Sequence, residues 1–287
     1  MRIAQLSDLH FARFSKNPLQ WFSKRFFGQL NWLFSRRQHF GKELLIPLPA
    51  LFQKLGVDLV LLGGDFTTTS LLNEYEEARQ FASSLKNPWL SIPGNHDHYT
   101  YRSKRQNHFY RYFTNPPPQN SPFGAMSLKE HGIEVHSIAP NWWVVALDTC
   151  IATPPHSSQG LFSASLEGRL EAVLQQMPQN ASVILFNHYP FFQNDELRHT
   201  LQRGDALQKQ IKSHPCIRLY LHGHTHRQTV ANLQPNNLPI LLDSGSCTHR
   251  TQGSWNLIEI SGQKCAVTRY RFCNEWTPVL SEEFSWT

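Results

Sequence analysis

Five short clusters in this 287-residue sequence hold side chains able to bind a metal ion or move a proton: Asp8-Leu9-His10, Gly64-Asp65, Gly94-Asn95-His96-Asp97, Asn187-His188 and Gly223-His224-Thr225-His226. Singly each is weak, because an isolated histidine is usually a surface or hydrogen-bonded residue, and glycine beside Asp65 or Asn95 can simply make a turn. Together they supply carboxylate, amide and imidazole donors and no thiolate. That set suits Mn²⁺ or Fe, with Zn²⁺ a further candidate, and disfavours a cysteine-type structural zinc site. The donors are numerous enough for two ions. Such a pair, roughly 3.5–4 Å apart and sharing a carboxylate, polarises phosphoryl oxygens and lowers the pKa of a bound water, which suits in-line attack on phosphorus. Glycines ahead of the ligands allow the sharp turns that send side chains inward.

The elements that must position these clusters are short apolar runs. Residues 2–7, 57–62, 89–92, 182–186 and 217–221 read as strands, and a ligand cluster follows each. Residues 142–147 form a similar run ending at Asp148, and 238–242, 255–260 and 266–272 are strand-like without helical periodicity. Helices are expected over 73–85 and over 163–176, the latter capped by Ser163. With no repeat, low-complexity tract or linker, the reading is one α/β domain over residues 1–287 with a β-rich C-terminal part. Open α/β sheets place ligands just beyond strand ends, so the five loops can converge.

Composition removes other classes. Hydrophobic residues make up 40% and charged residues 17%, which excludes a mainly disordered chain. No apolar run approaches the roughly 20 residues of a membrane span. The five scattered cysteines lack CxxC spacing, and residues 1–10 carry no secretory pattern, so the expected location is the cytoplasm. No P-loop, GxGxxG or GxSxG motif is present.

The net charge of +6 is local. Residues 11–42 hold seven basic and no acidic residues, against 20 basic and 21 acidic elsewhere. The same insert carries nine aromatic residues. Asn17-Pro18 is a plausible helix start, after which Leu19, Phe22, Phe26, Leu30 and Leu33 share one stripe. Trp21, Arg25, Trp32 and Arg36 cluster on roughly the opposite face. Two readings stand. One is a helix packed on the body by its apolar stripe. The other is a lid or membrane-surface helix over 17–37, whose Trp and Arg side chains meet a phosphate-bearing ligand or an anionic lipid on the inner face of a membrane. No motif directs the patch to nucleic acid.

The five blocks in order, D-x-H, GD, GNHD, H and GHxH, resemble the calcineurin-like metallophosphoesterase superfamily over residues 8–226. The resemblance implies two packed mixed β-sheets flanked by helices, a metallo-dependent phosphatase-like sandwich. It implies that Asp8, His10 and His226 bind one ion, that Asn95, His188 and His224 bind the other, and that Asp65 bridges them. His96 would assist phosphate binding and protonate the leaving oxygen, with Asp97 orienting its imidazole, and a metal-bridging hydroxide would attack phosphorus. His98, just past the third block, is a candidate substrate contact beside Tyr99 and Tyr101. The implied activity is hydrolysis of a phosphodiester or related ester. The alternatives are a pyrophosphatase acting on a lipid-linked nucleotide such as UDP-2,3-diacylglucosamine, and a catalytically silent scaffold of the same fold.

Overall fold

A computed structural model describes residues 1–15, 23–117, 123, 124 and 126–286. In chain order it contains β1 (Arg2–Leu6), α1 (Lys24–Asn31), α2 (Leu48–Lys54), β2 (Leu59–Leu62), α3 (Leu72–Ser84), β3 (Trp89–Ser91), α4 (Tyr101–Arg105), α5 (His108–Tyr112), α6 (Leu128–His131), β4 (Ile133–Ala139) and β5 (Trp142–Leu147). There follow β6 (Gly160–Leu161), α7 (Ala164–Gln175), β7 (Ser182–Phe186), β8 (Leu201–Gln202), α8 (Gly204–Ser213), β9 (Ile217–His222), β10 (Thr229–Asn232), β11 (Ile240–Asp243), β12 (Ser254–Ser261), β13 (Lys264–Cys273) and β14 (Glu275–Ser285).

Two six-stranded mixed sheets result, ordered β14-β13-β12-β1-β2-β3 and β10-β11-β9-β7-β5-β4. Their central strands are parallel, β1-β2-β3 in one and β11-β9-β7-β5 in the other. Successive side chains of a strand point to opposite faces, and here both faces are covered. Ile3, Leu59 and Leu61 meet Val144, Ile184, Leu219 and Leu221 between the sheets. Ala4, Leu6, Val60 and Leu62 instead meet Phe52 of α2 and Tyr75, Ala78 and Phe81 of α3. On the far side, Val145, Val183 and Leu185 pack with Leu170 and Val173 of α7 and Leu207 and Ile211 of α8. Double coverage is why these strands read as unbroken apolar runs.

Two buried amides lace the sheets together just before the ligand loops. Gln5 Nε2 donates to His222 O at 2.9 Å and Leu242 O at 3.1 Å. Asn256 Nδ2 donates to Gln5 Oε1 and to Asp243 O, each at 3.1 Å.

Among the described residues ten helices and strands escape the sequence reading, α2, α4, α5, α6, α8, β4, β6, β8, β10 and β14, and β14 and α8 show why. Strand β14 is mostly exposed, carries Pro278 and pairs with β13 at the sheet edge, where a register shift at Arg269/Tyr270 accommodates it. Helix α8 buries only Leu207, Gln210 and Ile211 beside Gly204, too few apolar positions for a periodic signal. Strand β4 pairs antiparallel with β5. The expected cap of α7 is present, Ser163 Oγ accepting from Leu166 N at 3.1 Å.

The insert needs correction. Its helix start at Asn17-Pro18, with Leu19 and Phe22, lies outside the described residues. Within them α1 is capped by Ser23 and continues as a π-helical turn, Trp32–Arg36. The buried side chains of α1 are Arg25 and Gln29, whereas Phe27 is 60% exposed and, beyond the helix, Phe34 is 79% exposed. Of the expected stripe, Phe26 and Leu30 are half-buried and Leu33 is exposed, while among the most buried side chains of the helix is Arg25, which finds carbonyl partners on the body that no phenylalanine could satisfy. Among the described residues no helix is long and apolar enough to cross a membrane.

Leu61 is fully buried between the sheets. Leu61→Ala is expected to lower unfolding free energy by about 2–5 kcal/mol in urea titration; a loss below about 1 kcal/mol would contradict the inter-sheet packing.

Candidate metal centre

The ligand loops begin where the parallel strands stop, and they turn sharply. Asp8, His10, Asp65, His224 and His226 have φ of 57°, 46°, 54°, 69° and 56°. This left-handed conformation costs a non-glycine residue roughly 1–2 kcal/mol, so packing and hydrogen bonds must hold it. The first two loops bond each other, Asp8 N to Gly64 O at 3.0 Å and His10 N to Asp65 O at 2.9 Å. Gly94 passes so close that a Cβ there would lie 2.1 Å from Asp65 Oδ1. The same Asp65 oxygen accepts from His96 N at 2.8 Å.

All seven side chains expected to be ligands come together. His226 Nε2 lies 3.1 Å from Asp8 Oδ1 and 3.0 Å from His10 Nε2, and His10 Nε2 is 3.7 Å from Asp8 Oδ1. On the other side, Asn95 Oδ1 lies 3.3 Å from His188 Nε2 and 2.9 Å from His224 Nδ1. Asp65 Oδ2 stands between the groups, 4.0 Å from His10 Nε2 and 3.6 Å from His188 Nε2. The outward nitrogens are fixed: His188 Nδ1 donates to Gly63 O at 2.7 Å and His224 Nε2 to His199 O at 2.8 Å. Each ring thereby directs its other nitrogen toward the centre, where a cation would displace any proton it carries.

The donor set fits two divalent ions. Asp8-His10-His226 and Asp8-Asp65-His188 each bring ligand atoms within 4.8 Å of one another. Asp8 Oδ1 is buried against the imidazole nitrogens of His226 and His10, at 3.1 and 3.7 Å, where those three donors could share a cation. Burial pushes the Asp8 and Asp65 carboxyls up, but His226 beside Asp8 and His188 beside Asp65 outweigh it and hold both below the usual carboxylate range. Burial pushes His224 down to about 3 and His10 well below its ordinary value, which keeps both rings neutral. Burial would lower His188 too, yet Asp65 and Asp8 pull it up to about 9.

Asp97 departs from expectation. Its carboxylate accepts from Phe66 N at 3.2 Å, Thr67 N at 3.0 Å, Gly94 N at 2.9 Å and Thr67 Oγ1 at 3.1 Å. It therefore ties the Asp65 loop to the Asn95 loop. The imidazole of His96 is oriented by a backbone group instead, Nδ1 donating to Thr68 O at 2.6 Å. A carbonyl leaves no mark in a sequence, so Thr68 could not be read there.

A cavity of about 450 Å³ opens over the centre. Asp65, Asn95, His96, His224 and His226 form its floor, and Lys24, Gly28 and Asn31 of α1 contribute to its wall. Of the insert residues expected to contact substrate, Arg25 and Trp32 do not line it. Arg25 is buried on the loop at 69–70, and Trp32 packs edge-on against Phe14 at 5.2 Å beside a neighbouring groove. Trp21 and the side chain of Arg36 lie outside the described residues. His98 is fully buried, its Nε2 3.4 Å from Asp148 Oδ2. Tyr99 does line the cavity, whereas Tyr101 is exposed.

Comparison with known proteins agrees with this geometry. The model of the calcineurin-like phosphoesterase family matches residues 1–228. A 3',5'-cyclic-nucleotide phosphodiesterase of Nostoc sp. is 24% identical over 228 residues, covering 79% of this chain and 71% of that protein. A 3',5'-cyclic adenosine monophosphate phosphodiesterase of Pseudomonas aeruginosa is 24% identical over 200 residues, 69% of this chain and 64% of its own length. Among solved structures, a dimetal phosphatase from Danio rerio shares the fold with a TM-score of 0.70 at 14% identity, covering 100% of this chain and 99% of that one. Since the matched span contains every ligand-bearing loop, this chain belongs to the calcineurin-like phosphoesterases, the metal-dependent hydrolases of phosphate esters.

Proposed function

We propose that the chain hydrolyses a phosphodiester in the cavity above the seven-residue centre, with His96 as proton donor to the leaving oxygen. The carrying observation is Asp65 Oδ2 standing between an Asp8-His10-His226 group and an Asn95-His188-His224 group, with His96 adjoining. When bound there, two divalent ions, Mn or Fe in this reading, polarise phosphoryl oxygens and acidify a water. The protein's own contributions are orientation and proton delivery. Thr68 O keeps a proton on His96 Nδ1, so Nε2 is the nitrogen that carries a proton to the departing alkoxide. A volume of about 450 Å³ suits a ligand of nucleotide size. Together with the names of the two relatives, it makes 3',5'-cyclic nucleotides the first substrate class to test.

With Mn²⁺ added, the wild type is expected to hydrolyse bis(p-nitrophenyl) phosphate and 3',5'-cyclic AMP and to retain about two ions per chain. Asp65→Ala should lose most activity, and His96→Ala about 10²–10⁴-fold. Equal turnover by all three proteins defeats the assignment. Well under one ion per chain favours the silent scaffold.

A second reading concerns the source of substrate, and exposed apolar side chains of the insert favour it. Phe14, Phe27, Leu33 and Phe34 are exposed, with the exposed Arg37 beside them, in a segment whose sequence carries no acidic residue. Such a surface complements an anionic bilayer, from which a lipid-linked nucleotide could reach the cavity. Wild type should co-sediment with phosphatidylglycerol-containing vesicles and not with pure phosphatidylcholine. Phe27→Ser/Phe34→Ser should abolish the binding, and a wild type that binds neither vesicle removes this reading.

A further inference from the structure

The inner face of α1 touches the groups that fix His96. Arg25 is buried and donates from Nε to Thr69 O at 2.9 Å and from a terminal guanidinium nitrogen to Ser70 O at 2.8 Å. These carbonyls directly follow the one that receives the His96 Nδ1 proton. Ser70, itself left-handed with φ 57°, donates its hydroxyl to His96 O at 2.7 Å and accepts from Tyr99 N at 3.0 Å. The Tyr99 ring lies within 14° of parallel to the imidazole, with centroids 5.3 Å apart. Gly28 of α1 presses on that tyrosine, since a Cβ there would lie 2.6 Å from Tyr99 Oη. Lys24 adds a clasp, bonding Thr153 O at 3.1 Å, Thr153 Oγ1 at 2.9 Å and Ser157 O at 3.3 Å while its Nζ sits 4.5 Å from the Tyr99 centroid.

From this geometry we propose that α1 positions His96, through Arg25 bracing the loop that presents Thr68 O and through the close approach of Gly28 to Tyr99. The role takes His96 to be the proton donor, as proposed above. An imidazole pinned at Nδ1 by a fixed carbonyl has one tautomer and one orientation. A guanidinium can bridge two consecutive carbonyls in a rigid fork, which lysine's single ammonium cannot reproduce. Without that brace the left-handed Ser70 relaxes, and Thr68 O moves with it. Arg25 is thus a positioning residue whose contribution is felt at the imidazole and not at the metal ligands.

Rates on bis(p-nitrophenyl) phosphate and diphenyl phosphate separate the alternatives, because phenolate is the poorer leaving group and depends more on a proton donor. With Mn²⁺ bound, His96→Ala should lose roughly tenfold more kcat on diphenyl phosphate than on the nitrophenyl ester. Arg25→Gln should show the same skew at reduced size, with Arg25→Lys between it and wild type. A readout without turnover is the imidazole Nδ1 proton of His96, assigned by its disappearance in His96→Ala. In Arg25→Gln it should exchange with water roughly tenfold faster. Gly28→Ala retains helix propensity and displaces the Tyr99 ring, so it replaces Arg25→Gln if that variant does not fold. If His96→Ala loses equally on both esters, the proton-donor reading fails and the positioning role fails with it. If His96→Ala is skewed while Arg25→Gln, or its replacement, is unskewed and leaves proton exchange unchanged, His96 remains the donor and the role of α1 is overturned.

Discussion

The structure depends on two buried carboxylates that must coexist in one small space. Asp8 and Asp65 are both removed from water, and Asp65 Oδ2 lies between two sets of imidazoles. Burying charge without a partner is costly, so the surroundings are arranged to supply positive charge and donors. His226 and His188 lie beside the acids, backbone amides of His224 and His96 donate to their outer oxygens, and the inner oxygens are left for cations. The left-handed turns at Asp8, His10, Asp65, His224 and His226 follow from the same demand. Extended backbone at those positions would send alternate side chains away from the centre.

Much of this was legible in the sequence because each cluster sits at a strand end. Apolar runs buried on both faces give a strong local signal, and donor residues directly after them are conspicuous. Asp8, His10, Asp65, Asn95, His188, His224 and His226 were all found that way, and all seven meet. What the sequence hid depends on backbone groups or on which side of a helix faces the body. Asp97 was expected at the imidazole, yet backbone amides from two loops claim it, and the imidazole goes to the Thr68 carbonyl. His98, polar and next to the site in sequence, is turned into the interior beside Asp148.

The insert shows the limit most clearly. Its apolar periodicity does not mark the most buried side: Arg25 and Gln29 face inward, Phe26 and Leu30 are only half-buried, and Phe27, outside the expected stripe, faces solvent. The reason is local: the loop at 69–70 offers two consecutive carbonyls, Thr69 O and Ser70 O, that match a guanidinium. Hydropathy alone cannot report carbonyls contributed by a loop more than forty residues away. Edge strand β14 escaped for a related reason, since an edge exposed to water needs no alternating apolar pattern.

The division of ligands between the sheets has a consequence for how the protein forms. Asp8, His10, Asp65 and Asn95 extend from one sheet, and His188, His224 and His226 from the other, with Gln5 and Asn256 joining the layers beneath them. A partly folded chain with a single sheet assembled holds only a fragment of either coordination shell. Cations held by these side chains would reach full affinity only with both sheets docked, and their binding would then favour the assembled molecule.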